Sequence, residues 1–120
     1  MTEKPHSILL VEDNAIIALD MSQMLASFGC DTLGPAANVE NALRLIEQSP
    51  PDAAMLDINL GTDRSWPIAY ALRERSIPVI LASGYAHSEI ESDFAAAPLL
   101  PKPVMKSDLR HALVRVGILS

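Results

Sequence analysis

"AAMLDINLG" occupies residues 53–61. Its apolar head reads as a buried strand, and that strand stops on a carboxylate, Asp57. An ionised Asp at the margin of a core is costly unless something there pairs with it. The pattern recurs along the chain. "SILLVEDN" (7–14) ends its apolar run in Glu12 and Asp13, "PVILASG" (78–84) ends in Ser83, and "PLLPKP" (98–103) ends in Lys102.

Longer segments with helical periodicity separate these runs. Asn14 suits an N-cap, and Ile17, Met21, Met24, Leu25 and Phe28 recur on one side of a helix that Gly29 closes. Thr32–Pro35 is a shorter strand. Asn38 caps a second helix with Val39, Ala42, Leu43 and Ile46 inward, stopped by Pro50–Pro51. After the loop "NLGTDRS", Pro67–Arg75 forms a third helix. Pro78–Ser83 is the most strand-like run. Ser88 to Glu91 is a capping-box pattern that predicts a short fourth helix. Leu99–Leu100 is a brief fifth strand, and Lys106–Val116 closes the chain as a helix with Leu109, Leu113 and Val116 inward.

Strand and helix alternate, and the strands are continuously apolar, as in a parallel sheet covered on both faces. Right-handed crossovers then give an α/β, doubly wound sheet of five strands with five helices. In such sheets the ligand site lies outside the carboxyl ends of the strands. Glu12, Asp13, Asp57, Ser83 and Lys102 are therefore expected at one end of one sheet.

A length of 120 residues fits one domain over 1–120. The net charge of −6 argues against a general nucleic-acid surface or an anionic-membrane surface, which need clustered Lys and Arg. No stretch approaches the ~20 apolar residues of a membrane span. The N-terminus turns acidic too early for a signal peptide. Cys30 is the only cysteine, so no internal disulfide forms, which suits a reducing compartment. These features read as a soluble, cytoplasmic chain. His6, His87 and His111 are scattered and read as neither phosphorylatable nor metal-binding, and Trp66 reads as packing.

Taken singly, each strand-end residue has an ordinary explanation. Glu12–Asp13 could serve a helix N-terminus, Asp57 a turn, Ser83 nothing specific, and Lys102 a surface loop. Their joint occurrence at successive strand ends favours a shared role. Oxygen-only ligands suit a hard divalent ion, Mg²⁺ where phosphate is handled, with Mn²⁺ able to substitute. Asp13 and Asp57 supply carboxylate oxygens, Glu12 acts through a water, and the backbone carbonyl of Asn59 completes the set. Asp57 is then the natural nucleophile for a phosphoryl group. Lys102 offers a positive charge to one phosphoryl oxygen and the Ser83 hydroxyl a hydrogen bond to another.

The order and spacing of "ILLVEDN", "MLDINLG", "VILASG" and "LLPKPV" resemble the receiver domain of bacterial two-component response regulators, from about Ser7 to Val116. The resemblance implies a flavodoxin-like fold with strand order 2-1-3-4-5. It also implies that Asp57 accepts a phosphoryl group from a histidine kinase or a phosphotransfer domain. Glu12 and Asp13 match the acidic pair, Ser83 the hydroxyl switch residue and Lys102 the lysine, whose peptide to Pro103 is cis in that family. Readout is expected on the fourth helix, fifth strand and last helix. Many receivers carry Tyr or Phe three positions before the lysine, where this chain has Leu99. "ILASGYA" partly resembles a single-domain subgroup whose motif runs Phe-Ala-Thr-Gly-Gly/Tyr-Tyr (FAT GUY), with Leu81 for the Phe and Ser83 for the Thr. Switching is therefore assigned to Ser83 with Tyr85, or to the segment 84–98, in place of a ring at Leu99.

Three other functions compete with this one. An aspartyl phosphatase of the haloacid dehalogenase class needs a second carboxylate two residues after the first, where Asn59 stands. A flavin module needs a Ser/Thr/Gly-rich phosphate loop after the first strand, and "VEDNAII" is acidic. The remaining alternative is a pseudo-receiver, an interaction module that is never phosphorylated. The start at Met1 and the end just past the last helix fit a free-standing regulator, the other origin being a piece of a hybrid kinase or longer regulator. No enzymatic turnover beyond the chain's own phosphorylation and dephosphorylation is expected.

Overall fold

A computed structural model describes residues 4–84 and 90–120. Its elements run β1 (Ser7–Val11), α1 (Ala15–Ser27), β2 (Asp31–Ala36), α2 (Val39–Gln48), β3 (Ala53–Asp57), β4 (Asn59–Leu60), β5 (Asp63–Arg64), α3 (Trp66–Glu74), β6 (Val79–Ser83), β7 (Leu99–Pro101) and α4 (Lys106–Arg115). Five strands form one parallel sheet in the order β2-β1-β3-β6-β7, which is the expected doubly wound order. The remaining two, β4 and β5, make a small antiparallel hairpin.

Side-chain alternation along the strands builds two cores. Ile8, Leu10, Met55 and Ile80 face α1 and α4, where Met21, Leu25, Leu109 and Leu113 meet them. Leu9, Val11, Leu56 and Leu81 face α2 and α3, against Ala42, Ile46, Ile68 and Leu72. A period of two carries Glu12 and Asp57 on from Leu10 and Met55, toward the α1/α4 side. The register Val11↔Leu56 places these two carboxylates beside each other one step further on.

The helix starts form as their sequences dictate. Asn14 Oδ1 accepts from the N–H groups of Ile16 and Ile17, both at 3.0 Å, and Asn38 Oδ1 accepts from Asn41 N–H at 2.8 Å. Each cap satisfies amide donors that the first helical turn leaves without partners. Pro67 sits within the first turn of α3, where its missing N–H costs nothing.

Several expectations are corrected. Leu43 is 36% exposed rather than inward, and Phe28 and Val116 are only half-buried; Ala18 and Ala112 take inward positions instead. The loop "NLGTDRS" contains the β4–β5 hairpin, too short for a strand pattern to show. Four α-helices are present among the described residues rather than five. The expected fourth helix at Ser88–Glu91 lies partly outside those residues, and after it comes a single 3₁₀ turn, Ser92–Phe94. Cys30 is buried in the first core.

Gly34 carries the tightest backbone constraint. Its φ is +98°, and a Cβ there would lie 2.8 Å from Ala36 N and 3.1 Å from Leu10 O. Both are backbone atoms in the β1–β2 pair, so neither can retreat cheaply. Gly34→Ala is expected to lower stability by about 1–3 kcal/mol, read as a fall in the urea midpoint at constant slope. An unchanged midpoint would contradict the packing described for β2.

Candidate functional site

Each strand-end residue arrives at the carboxyl edge of the main sheet. Glu12 and Asp13 follow β1, Asp57 ends β3, Ser83 ends β6, and Lys102 follows β7. Backbone bonds pin these ends together. Glu12 N–H donates to Ala36 O at 3.0 Å, Ile58 N–H to Ala82 O at 3.0 Å, and Lys102 N–H to Ser83 O at 3.1 Å. The strand register alone therefore brings to one edge residues up to 90 positions apart in the chain, Glu12 and Lys102.

The side chains meet around one ammonium. Lys102 Nζ lies 2.8 Å from Glu12 Oε1 and 2.9 Å from Asp57 Oδ2. Asp57 Oδ1 accepts from Asn59 N–H at 3.2 Å, and Glu12 Oε2 accepts from Asn14 N–H at 3.1 Å. Glu12 is 2% exposed and Asp57 6%, whereas Asp13 is exposed at the rim. The Lys102 hydrogen bond to Asp57 is well directed. Its approach to Glu12 is an ion pair that misses hydrogen-bond geometry, so that buried oxygen is satisfied by charge alone.

Carboxylate oxygens of Glu12, Asp13 and Asp57 lie within 4.8 Å of one another. Burial raises the Glu12 pKa, with the Asp57 charge adding to it, and the Lys102 and Asn14 contacts only partly counter this. Burial also opposes the charge on Lys102, but the two carboxylates outweigh it and raise the Lys102 pKa. Both shifts are upward, so both make stability fall as pH rises, in two separate windows. Glu12 costs the fold stability as pH climbs from its ordinary value of 4.5 toward its raised folded value. Lys102 contributes stability below 10.5 and loses it as pH rises through its own raised folded value.

Asp57, Asn59, Gly61, Gly84 and Lys102 line an open cleft of about 520 Å³. The hairpin forms one of its walls. At φ +65° Gly61 turns the hairpin so that a Cβ there would stand 4.0 Å from Asp13 Oδ2. The donors are all oxygens, and one is a buried oxygen without a directed hydrogen bond. Three carboxylates face a single ammonium, which leaves two negative charges uncompensated. A hard divalent cation fits this set in both donor type and charge.

The sequence reading missed two features of the site. One is the β4–β5 hairpin wall. The other is the engagement of Lys102 by both buried carboxylates, where a mobile charge awaiting a phosphoryl oxygen was expected. The Lys102–Pro103 peptide is cis, as the resemblance implied, and Gly34–Pro35 is cis as well. Leu99 opens β7, half-buried against the α2/α3 core. Tyr85 lies outside the described residues. Trp66 is packed, as read, stacked on Phe94 with ring centres 5.6 Å apart.

Clustering like charges costs stability. In the presence of a chelator, Asp13→Asn is expected to raise the melting temperature by about 4 °C, measured by calorimetry. A fall would show that the three carboxylates do not repel one another.

Comparison with known proteins agrees with this geometry. A family model described as the response regulator receiver domain matches residues 8–114. The chain is similar to the transcriptional regulatory protein PdtaR of Mycobacterium tuberculosis, 28% identical over 116 residues, covering 91% of this chain and 55% of that protein. It is equally similar to the TorCAD operon transcriptional regulatory protein TorR of Escherichia coli O157:H7, 28% identical over 116 residues, covering 93% and 49%. The chain thus spans about half the length of the curated relatives it matches. Among solved structures it resembles SdrG from Sphingomonas melonis Fr1, 34% identical, with a TM-score of 0.84 and coverage of 96% and 98%. It also resembles a BeF3-activated conformation of SdrG, 34% identical, with a TM-score of 0.79 and coverage of 94% and 96%. With its parallel sheet and its acidic edge closed by a lysine, the chain belongs to the response regulator receiver domain family.

Proposed function

We propose that the chain is a phosphoacceptor module of a two-component system, in which Asp57 takes a phosphoryl group from a histidine kinase or phosphotransfer domain. The observation that carries this reading is the Asp57 side chain. It is nearly buried, yet it opens into a cleft with Lys102 on one oxygen and the Asn59 N–H on the other.

In the transfer, a carboxylate oxygen of Asp57 forms a bond to phosphorus as the bond from phosphorus to the donor imidazole nitrogen breaks, and the imidazole leaves with that electron pair. Lys102 turns from Asp57 Oδ2 to a phosphoryl oxygen without leaving the cleft. The Ser83 hydroxyl, at the end of the neighbouring strand, binds another. Glu12, Asp13, Asp57 and the Asn59 carbonyl are the residues that would hold Mg²⁺, or Mn²⁺ in its place. When bound, the ion neutralises charge that builds on the phosphoryl oxygens. Asn59 stands where a phosphatase would need a second acid, so the chain acts by being modified rather than by turning over a substrate.

Donor docking is supported by the surface beside the cleft. Ile16, 82% exposed, lines with Ile17, Met21 and Met24 a groove that reaches Lys102 and Pro103. Among the described residues no helix is long and apolar enough to cross a membrane. SdrG has been solved in a BeF3-activated conformation, and the similarity supports the same response at Asp57. The pseudo-receiver alternative leaves the uncompensated carboxylates of a complete site without a purpose.

Intact-mass spectrometry after incubation with acetyl phosphate is expected to show one Mg²⁺-dependent phosphoryl adduct, absent from Asp57→Asn. The absence of an adduct under any condition would favour the pseudo-receiver.

A further inference from the structure

The edge of the sheet opposite Asp57 carries a cavity of about 510 Å³. It lies where β6 and β7 begin, between the ends of α3 and α4 and the 3₁₀ turn Ser92–Phe94. Ile77, Val79, Phe94 and Val116 give it an apolar lining. Pro78 and Pro98 line it too, and neither has an N–H to offer. From the turn to β7 the chain passes through Ala96 and Ala97, whose side chains are too small to fill the space. The Phe94 wall is fixed, since its ring meets Tyr70 edge-on at 5.0 Å and stacks on Trp66.

Two guanidiniums border this apolar space. Arg73 lies 3.3 Å from Asp93 Oδ2, an oxygen that already accepts from the Tyr70 hydroxyl at 2.8 Å. That ion pair is half-exposed and weak. Arg115 donates one N–H to the Ala96 carbonyl at 3.0 Å, and among the described residues it has no carboxylate within ion-pair reach. A guanidinium has several N–H donors, so most of those on Arg115 remain, with its charge. Among the side chains that line the cavity, two arginines against one aspartate leave one positive charge, in a chain whose net charge is −6.

Ser76 adds a hydroxyl. It follows α3 at φ +59°, where Ile77 N–H donates back to Leu72 O at 2.9 Å and Ser76 N–H to Arg73 O at 3.0 Å. Glycine is the ordinary residue at such a helix end. Serine strains the backbone there and brings to the cavity a hydroxyl that has no hydrogen-bond partner among the described residues.

We infer that this cavity binds a small organic acid, an apolar, ring-sized body on the apolar lining with a single carboxylate on Arg115. Its volume falls within the ~300–1,000 Å³ of small-molecule sites, which combine an apolar lining with a few polar groups in the same way. A carboxylate meets a guanidinium through two parallel hydrogen bonds, and a second negative charge on the ligand would go uncompensated. The acidic edge takes no part, so the inference stands or falls apart from the phosphoacceptor reading.

The test titrates the full, unphosphorylated chain with naphthoate and follows the backbone amides by NMR. Saturable shifts are expected on the amides of Ile77, Val79, Ala97 and Val116. Naphthamide, which keeps the rings and lacks the charge, is expected to bind about tenfold more weakly. Arg115→Met, an exchange at an exposed position, is expected to weaken naphthoate binding by about the same factor. No saturable shift at these amides, equal binding of the acid and the amide, or unchanged binding by the Arg115→Met variant overturns the inference.

Discussion

The site depends on one ammonium placed among too many carboxylates. Lys102 bridges Glu12 and Asp57 at 2.8 and 2.9 Å, while Asp13 lies exposed at the rim, outside that pair of contacts. A lysine shared by two buried acids makes their burial tolerable, because it supplies the charge that water no longer does. It cannot compensate a third. On the proposed function, this shortfall is what a divalent ion would compensate. Glu12 shows the strain directly, since burial raises its pKa even with Lys102 beside it.

The rest of the fold delivers these groups to one place. The two cores fix the strand register, and the register fixes which residue follows each strand. Because alternation runs unbroken through β1 and β3, Glu12 and Asp57 turn to the same side of the sheet as the loop that carries Lys102. A slip of one residue in either strand would turn its acid to the other face. The apolar sheet interior thus acts on chemistry at its edge by holding the register.

Much of this was legible in the sequence because strong local signals agreed. The continuous apolar strands, the Asn14 and Asn38 caps and the Gly29 stop fixed element order, and element order with right-handed crossovers led to the sheet. The strand-end pattern points to the acids, Ser83 and Lys102 without any knowledge of contacts. What escaped reading depends on partners far along the chain. The β4–β5 hairpin has two-residue strands, too short for periodicity. Leu43 lies on the helix face that periodicity marks as inward, yet stays partly exposed because the stripe that packs on the sheet is narrower than the apolar stripe. The stacking of Phe94 on Trp66 joins residues 28 positions apart, with no local pattern to announce it.

The central claim is electrostatic, and Mg²⁺ calorimetry addresses it most directly. The wild-type chain is predicted to bind one Mg²⁺, and Lys102→Met, which leaves all three carboxylates without their ammonium, is predicted to bind it about tenfold more tightly. Equal or weaker binding by the Lys102→Met variant would contradict the account, because it would mean that the lysine is not what holds the charge of this edge in check.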